Sequence, residues 1–173
     1  MIQLSYQPAF DPYHTMYRLI RILVALGDTT SLLVDHIRIL DFYFLFPFEI
    51  AHIRLTPQHR RFRSTAQTYE ERRPYGNQPE DVLIFDRMKP MQLAALDTLA
   101  TKGIIDPEAW QRGMVIRTKV PIPVDLCARV NNANAADSQL MEMIVALATE
   151  YSLLGRDGLK ARTGLLEHRY DAA

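Results

Sequence analysis

The sequence predicts a mainly α domain with a small β wing, winged-helix-like in arrangement, with residues 1–173 forming a single compact unit. Three observations carry this. Apolar residues recur at three- and four-residue intervals in several separate segments, the period of helices with one buried face. The run "LATKGII" (99–105) passes from helical spacing through a glycine into β-branched residues, and "MVIRT" (114–118) follows a turn signal. That succession reads as a last helix handing over to a two-stranded wing. Finally, 48% apolar and 23% charged residues over 173 positions suit one globular core. Four sub-regions follow: a helical N-terminal half (12–55), a basic loop (56–81), a wing-bearing half (82–120), and a C-terminal helix with its tail (121–173).

The first helix runs from Tyr13 to Leu26, with Met16, Leu19, Ile20, Leu23 and Val24 on one face and Arg18 and Arg21 on its flank. Gly27 and Asp28 end it. Thr30 or Ser31 is placed to cap a second helix from Leu32 to about Phe46, whose first turn carries Asp35. Pro47 cannot continue that helix, since it lacks a donor and clashes with the preceding turn. Before it, Phe42, Phe44, Leu45 and Phe46 cover nearly the whole circumference, and a helix apolar all round is buried on more than one side.

Residues 59–81, "HRRFRSTAQTYEERRPYGNQPED", hold five arginines, two prolines and the turn pair Gly76-Asn77, and read as an extended loop. A third helix is expected from about Asp86 to Lys102, with Pro90 in its first turn or kinking it and Gly103 ending it. Ile104-Ile105 then forms a short strand, Asp106-Pro107 a turn, and Met114 to Thr118 the second strand. "VPIPVDLCARVNNANAADS" reads as a connection rich in proline and asparagine. The last long helix begins at Asp137, a capable cap, shows Leu140, Ile144, Leu147 and Tyr151 on one face, and stops at Gly155. Leu159, Leu165 and Leu166 can dock the charged tail, whose last residues are expected to fray.

Composition excludes several function classes. Lys plus Arg and Asp plus Glu number 20 each, so the formal net charge is zero. Autonomous nucleic-acid binding usually leaves a strongly basic footprint, which the whole chain lacks. Cys127 is the one cysteine and has no intramolecular partner, so a cytoplasmic, reducing compartment is expected. "MIQLSYQPAFDPYH" lacks the basic-then-apolar order of a secretory signal. The apolar run from Ile39 to Ile50 contains Asp41, Pro47 and Glu49, too short and too charged for a bilayer, so no membrane contact is expected.

Catalytic patterns do not emerge. His14, His36, His52, His59 and His168 form no His-x-x-x-His pair, and Cys127 has no second thiol near it. "LLGRDGLKARTG" lacks the Gly-Lys-Ser/Thr junction of a phosphate loop, and no Gly-x-Ser-x-Gly elbow occurs. Glu70, Glu71, Asp81 and Asp86 lie beside Arg72, Arg73 and Arg87, a setting for ordinary solvated ion pairs. His36 reads as a packing histidine at or near the surface and Cys127 as a small buried residue. The expectation is no enzyme, no catalytic residue, no cofactor and no metal.

Two groups of residues are candidates for contact with a partner. Arg60, Arg61, Arg63, Arg72 and Arg73, interleaved with Phe62, Tyr69 and Tyr75, could meet double-stranded DNA phosphates or an acidic protein surface. Arg112, Arg117 and Lys119 would join them if the wing faces DNA. Phe42, Phe44, Phe46 and Phe48 are expected to fill the seam between the two halves and to complete a partner contact, with Asp41 accepting a hydrogen bond or ion pair near the core.

The stretch "YRLIRILVALGDTTSLLVDHIRILDFYFLFPFEI" (17–50) resembles the N-terminal part of the middle components of bacterial ABC-three-component systems. The likeness lies in an Arg-rich amphipathic helix, a short turn, and a helix closing on Leu40, Asp41, Phe42 and Pro47; "LATKGII" with its wing continues it. The resemblance implies an accessory subunit that bridges an SMC/Rad50-like ABC ATPase and an effector, often a nuclease, in a hetero-oligomer of the Lamassu antiphage type. It carries over no catalytic residue. The second reading, from another class, is a stand-alone winged-helix DNA-binding transcriptional regulator, which would form a homodimer and bind duplex with steep salt dependence.

Overall fold

In the computed structural model, which describes residues 8–74 and 79–167, the chain enters its first helix at Asp11. The Asp11 carboxylate accepts from the His14 backbone N–H at 2.8 Å, Pro12 occupies the first turn, and α1 runs Pro12–Leu26. Gly27, at φ 75°, ends it in a backbone conformation that glycine adopts without strain. Leu19, Ile20, Ile22 and Leu23 are buried, and so are Arg18 and Arg21.

The expected start of the second helix is a strand instead. Ser31–Leu33 forms β1, and α2 begins only at Val34, running Val34–Leu45. Thr30 does not cap it: its hydroxyl donates back to the Leu26 carbonyl at 3.0 Å, closing α1. The reason lies elsewhere in the chain. Ser31, Leu32 and Leu33 pair antiparallel with Ile116, Val115 and Met114 of β2 (Met114–Ile116), and the Val34 N–H donates to the Gly113 carbonyl at 3.0 Å. Ladder bonds thus satisfy donors that a side-chain cap would have taken. Ile105 bridges Arg117, just past the end of β2. The wing's chief partner is therefore β1 rather than the adjacent residues 104–105. Asp106 and Pro107 open a short helix where a turn was expected: α5 (Pro107–Gln111), capped by Asp106, which accepts from the Ala109 N–H at 2.8 Å.

Three further segments depart from the sequence reading. Residues 56–74 are helical where an extended loop was expected: a 3-10 turn at Pro57–His59, α3 at Phe62–Gln67, and a 3-10 turn at Glu70–Arg72. Phe62 and Ala66 are buried, and the Phe62 ring stacks on His59 with centroids 4.8 Å apart, which gives the segment a core contact its composition hides. The pair Gly76-Asn77, with Tyr75, lies outside the described residues. Next, α4 spans Asp81–Thr101, so it begins five residues early and holds Pro90 in its interior rather than its first turn. Pro90 cannot donate to the carbonyl one turn back, but Ile84, Phe85 and Met88 before it and Ala95, Leu96 and Leu99 after it anchor both halves. Finally, residues 124–136 form α6 (Val124–Ala136) instead of a connection. Val130 is buried, and Asn134 is taken up by Arg21: Arg21 Nε donates to Asn134 Oδ1 at 2.8 Å, and Asn134 Nδ2 donates to the Arg21 carbonyl at 3.1 Å.

The last long helix, α7 (Ser138–Thr149), buries Leu140, Ile144 and Leu147 as its spacing predicts, but ends before Gly155. Asp137 precedes it without capping, because arginines occupy its carboxylate. After α7, α8 (Leu159–Thr163) docks through Leu159, with Leu165 buried beyond it. The architecture is mainly α with a small β wing. In it α1 packs against α2, α4, α6 and α7, while α2 also meets α4, α7 and the turn Pro47–His52.

Candidate interaction site

Three of the five arginines in the segment after α2 are committed within the chain. Arg61 forms an ion pair with Glu142 of α7 and stacks over Phe62, 5.0 Å from the ring centroid. Arg72 Nη2 lies 2.9 Å from Asp137 Oδ1 and the guanidinium stacks over Tyr69. Arg73 joins Glu70 at 2.8 Å and Glu49 at 3.3 Å and lies over the Phe48 ring. The segment is further tied down where the Thr56 N–H and His59 Nδ1 meet the Tyr151 hydroxyl at 3.1 and 2.9 Å. Arg60 and Arg63 are exposed and enter no ion pair among the described residues. Composition alone suggests five free cations, yet folding leaves two.

Asp137 collects both Arg72 and the buried Arg21, whose Nη2 lies 2.9 Å from Oδ2. Partial burial pushes this carboxyl up, but hydrogen bonds from Arg21 and Arg72 outweigh that and hold it below the usual carboxylate range. Arg112 follows α5 and is exposed, Lys119 is exposed, and Arg117 is half-buried with an Nε that has no hydrogen-bond partner. No hydrogen bond or ion pair joins the two sets among the described residues.

The four phenylalanines lie inside the chain. Phe42 and Phe48 are fully buried, and Phe44 and Phe46 nearly so. The Phe42 ring meets Tyr43, Phe46 and Phe85 at centroid distances of 5.2, 5.1 and 6.0 Å, linking α2 to α4.

Beside them lies a polar network that sequence reasoning only touched at Asp41. Arg18 Nε and Nη2 donate to Asp41 Oδ1 and Oδ2 at 2.7 and 3.1 Å. Gln92 Nε2 donates to Asp41 Oδ2 at 2.9 Å, and its Oε1 accepts from Arg38 Nε at 3.0 Å. Arg38 Nη1 reaches Asp35 at 2.8 Å, its guanidinium covers the Phe85 ring at 4.4 Å, and Nη2 is buried without a partner. This network joins α1, α2 and α4. The signal for it was present: Arg38 stands one turn before Phe42 in a helix apolar all round, and a charge there needs a partner.

His36 is buried rather than half-exposed, its Nε2 3.0 Å from the Leu147 carbonyl, and burial lowers its pKa. Cys127, expected buried, is half-buried on α6. Among the described residues no group of three His, Cys, Asp or Glu side chains could hold a metal ion, and no helix is long and apolar enough to cross a membrane.

No curated protein and no solved structure matches this chain. A family model does: residues 4–171 match ABC-three component (ABC-3C) system Middle Component 5, and the chain belongs to that family.

Proposed function

We propose that the chain is a non-catalytic accessory subunit of an antiphage ABC-three-component complex, acting in the cytoplasm as a bridge between an SMC/Rad50-like ABC ATPase and an effector such as a nuclease. The observation that carries this is the family match over residues 4–171.

The fold supports a docking role. The order of helices α1, α2 and α4, with β1 paired to β2 and Ile105 bridging beyond it, supports a winged-helix reading in which residues 46–80 are an insertion between the second and third helices. In such a plan the third helix reads DNA. Here the exposed positions of α4 include Val82, Leu83, Asp86, Arg87, Lys89, Pro90, Ala94, Asp97 and Thr101, mixed in charge and partly apolar. That composition suits a protein surface better than a phosphate backbone. Tagged protein co-expressed with its neighbouring genes should recover an ABC ATPase and an effector, identified by mass.

DNA contact is the second reading, favoured by Arg60, Arg63, Arg112 and Lys119, which are exposed without ion pairs among the described residues. A homodimer that binds duplex with a steep salt dependence, and recovers no protein partner, would replace the accessory reading with a regulator.

A further inference from the structure

The connection between β2 and α6, "KVPIPVD" (119–125), carries an exposed apolar ridge of defined shape. Pro121 and Pro123 fix their own φ, and each pushes the residue before it toward extended backbone. Pro123 stands at φ −46°, ψ 136°, close to polyproline II values. Such a helix repeats about every three residues. Val120 and Pro123 then share one edge, Pro121 and Val124 a second, and Ile122 takes the third. Burial follows the same period. Ile122 is 7% exposed, whereas Val120 and Val124 are 43% and 83% exposed and both prolines face solvent.

The ridge is held at both ends. The Thr118 N–H donates to the Ile104 carbonyl at 2.9 Å, the Val120 N–H to the Thr118 hydroxyl at 3.1 Å, and the Pro123 carbonyl accepts from the Cys127 N–H at 2.9 Å. A shape formed in advance costs little ordering when a partner binds. Between these ties the carbonyls of Val120, Pro121 and Ile122 accept no hydrogen bond among the described residues. The prolines have no N–H to give, so an added strand cannot pair along this segment. What fits is a surface with apolar slots for two edges and N–H or O–H donors for the carbonyls, and Trp and Tyr side chains supply both. A second copy offers no such groove, because Tyr13 is the one exposed aromatic side chain among the described residues. Lys119 and Asp125 are exposed and enter no ion pair among the described residues, so the two ends of the ridge carry opposite charge.

We propose that residues 119–125 dock in an aromatic-lined groove of a protein partner, acidic where it meets Lys119 and basic where it meets Asp125. The complementary ends fix the direction in which the ridge lies. This rests on the accessory-subunit reading and assigns it a contact surface. Ile122 stays in the core throughout, so docking needs no local unfolding.

The test is the affinity of the full chain for the ABC ATPase and the effector encoded beside it, each purified after co-expression. Pro121→Ser with Val124→Ser removes one edge, adds no charge and alters no buried residue. Its affinity for one of the two proteins should fall about tenfold or more with the urea midpoint unchanged, while Tyr13→Ser, at a site equally exposed, keeps full affinity. A photo-crosslinking benzophenone side chain in place of Val120 should attach beside a Trp or Tyr of that protein. Unchanged affinity in the double variant, an equal fall in Tyr13→Ser, or attachment to a surface without Trp or Tyr overturns the ridge and leaves the accessory reading standing. A wild type that captures neither protein overturns both. Self-association lost in the double variant would seat a second copy on the ridge and overturn the groove. Should the double variant not fold, Val124→Ser alone is read in the same way.

Discussion

Arg18 and Asp41 face each other in the core as a two-pronged pair, at 2.7 and 3.1 Å, and the Asp41 side chain is wholly shielded from solvent. Gln92 donates to the same carboxylate, so removing Asp41 strands an arginine and an amide together. Asp41→Ala should cost about 3–5 kcal/mol, measured by urea unfolding, because an uncompensated buried charge remains. Replacing both partners, Arg18→Met with Asp41→Leu, should recover most of that loss. If the single variant loses less than about 1 kcal/mol, the pair is not the junction of α1, α2 and α4 inferred here.

Phe42 touches three other rings across α2 and α4 and has no exposed surface. Phe42→Ala leaves a cavity among these rings. A loss of about 3–5 kcal/mol is expected in denaturant unfolding. If partner capture falls while the unfolding midpoint stays put, Phe42 belongs to an interface and not to the core.

How much of this was legible in the sequence depended on whether the deciding contact was local. The faces of α1 and α7 followed from spacing alone, since Leu19, Leu23, Leu140 and Leu147 need only a nearby core. Strand β1 was hidden, because three residues able to start a helix became a strand only through pairing with residues more than eighty positions away. Residues 56–74 and α6 were hidden for a related reason. Their arginines and asparagines read as solvated, yet Glu142 on α7, Asp137 just before α7 and Arg21 on α1 turn those polar residues into anchors. Asp41 was legible as a buried acceptor; its partners Arg18 and Gln92 were not, since a donor's address is a tertiary fact.

The anchors of the insertion should differ in strength according to burial. Arg72 and Asp137 meet at 2.9 Å near the surface, so a double-mutant cycle with alanine should give a coupling of about 1 kcal/mol or less, weakening in high salt. Arg21 meets the same carboxylate from inside, while also holding Asn134 and the Ala133 carbonyl. Arg21→Ala should therefore destabilise the fold by roughly 2 kcal/mol or more, because it leaves buried acceptors unpaired. Equal effects from Arg21→Ala and Arg72→Ala would show that Asp137 is an ordinary surface acid.

His36 gives the fold an acid-sensitive point of its own. It lies 5% exposed on α2, and its Nε2 donates to the Leu147 carbonyl of α7 at 3.0 Å. Burial lowers its pKa although that bond favours the charged form, so the folded value lies below the 6.5 of a free imidazole. The unfolded chain then takes up more protons as pH falls. Stability from His36 is complete above about pH 6.5 and declines as pH drops toward the folded value. His36→Gln keeps a donor for Leu147 but does not titrate, while Asp81 and Asp137 remain in both proteins and cancel from the comparison. Urea midpoints measured from about pH 7.5 down to about pH 5 should therefore fall more steeply for the wild type than for His36→Gln. Parallel curves would mean that His36 is protonated as easily folded as unfolded, and that the α2–α7 seam is wetter than its burial implies.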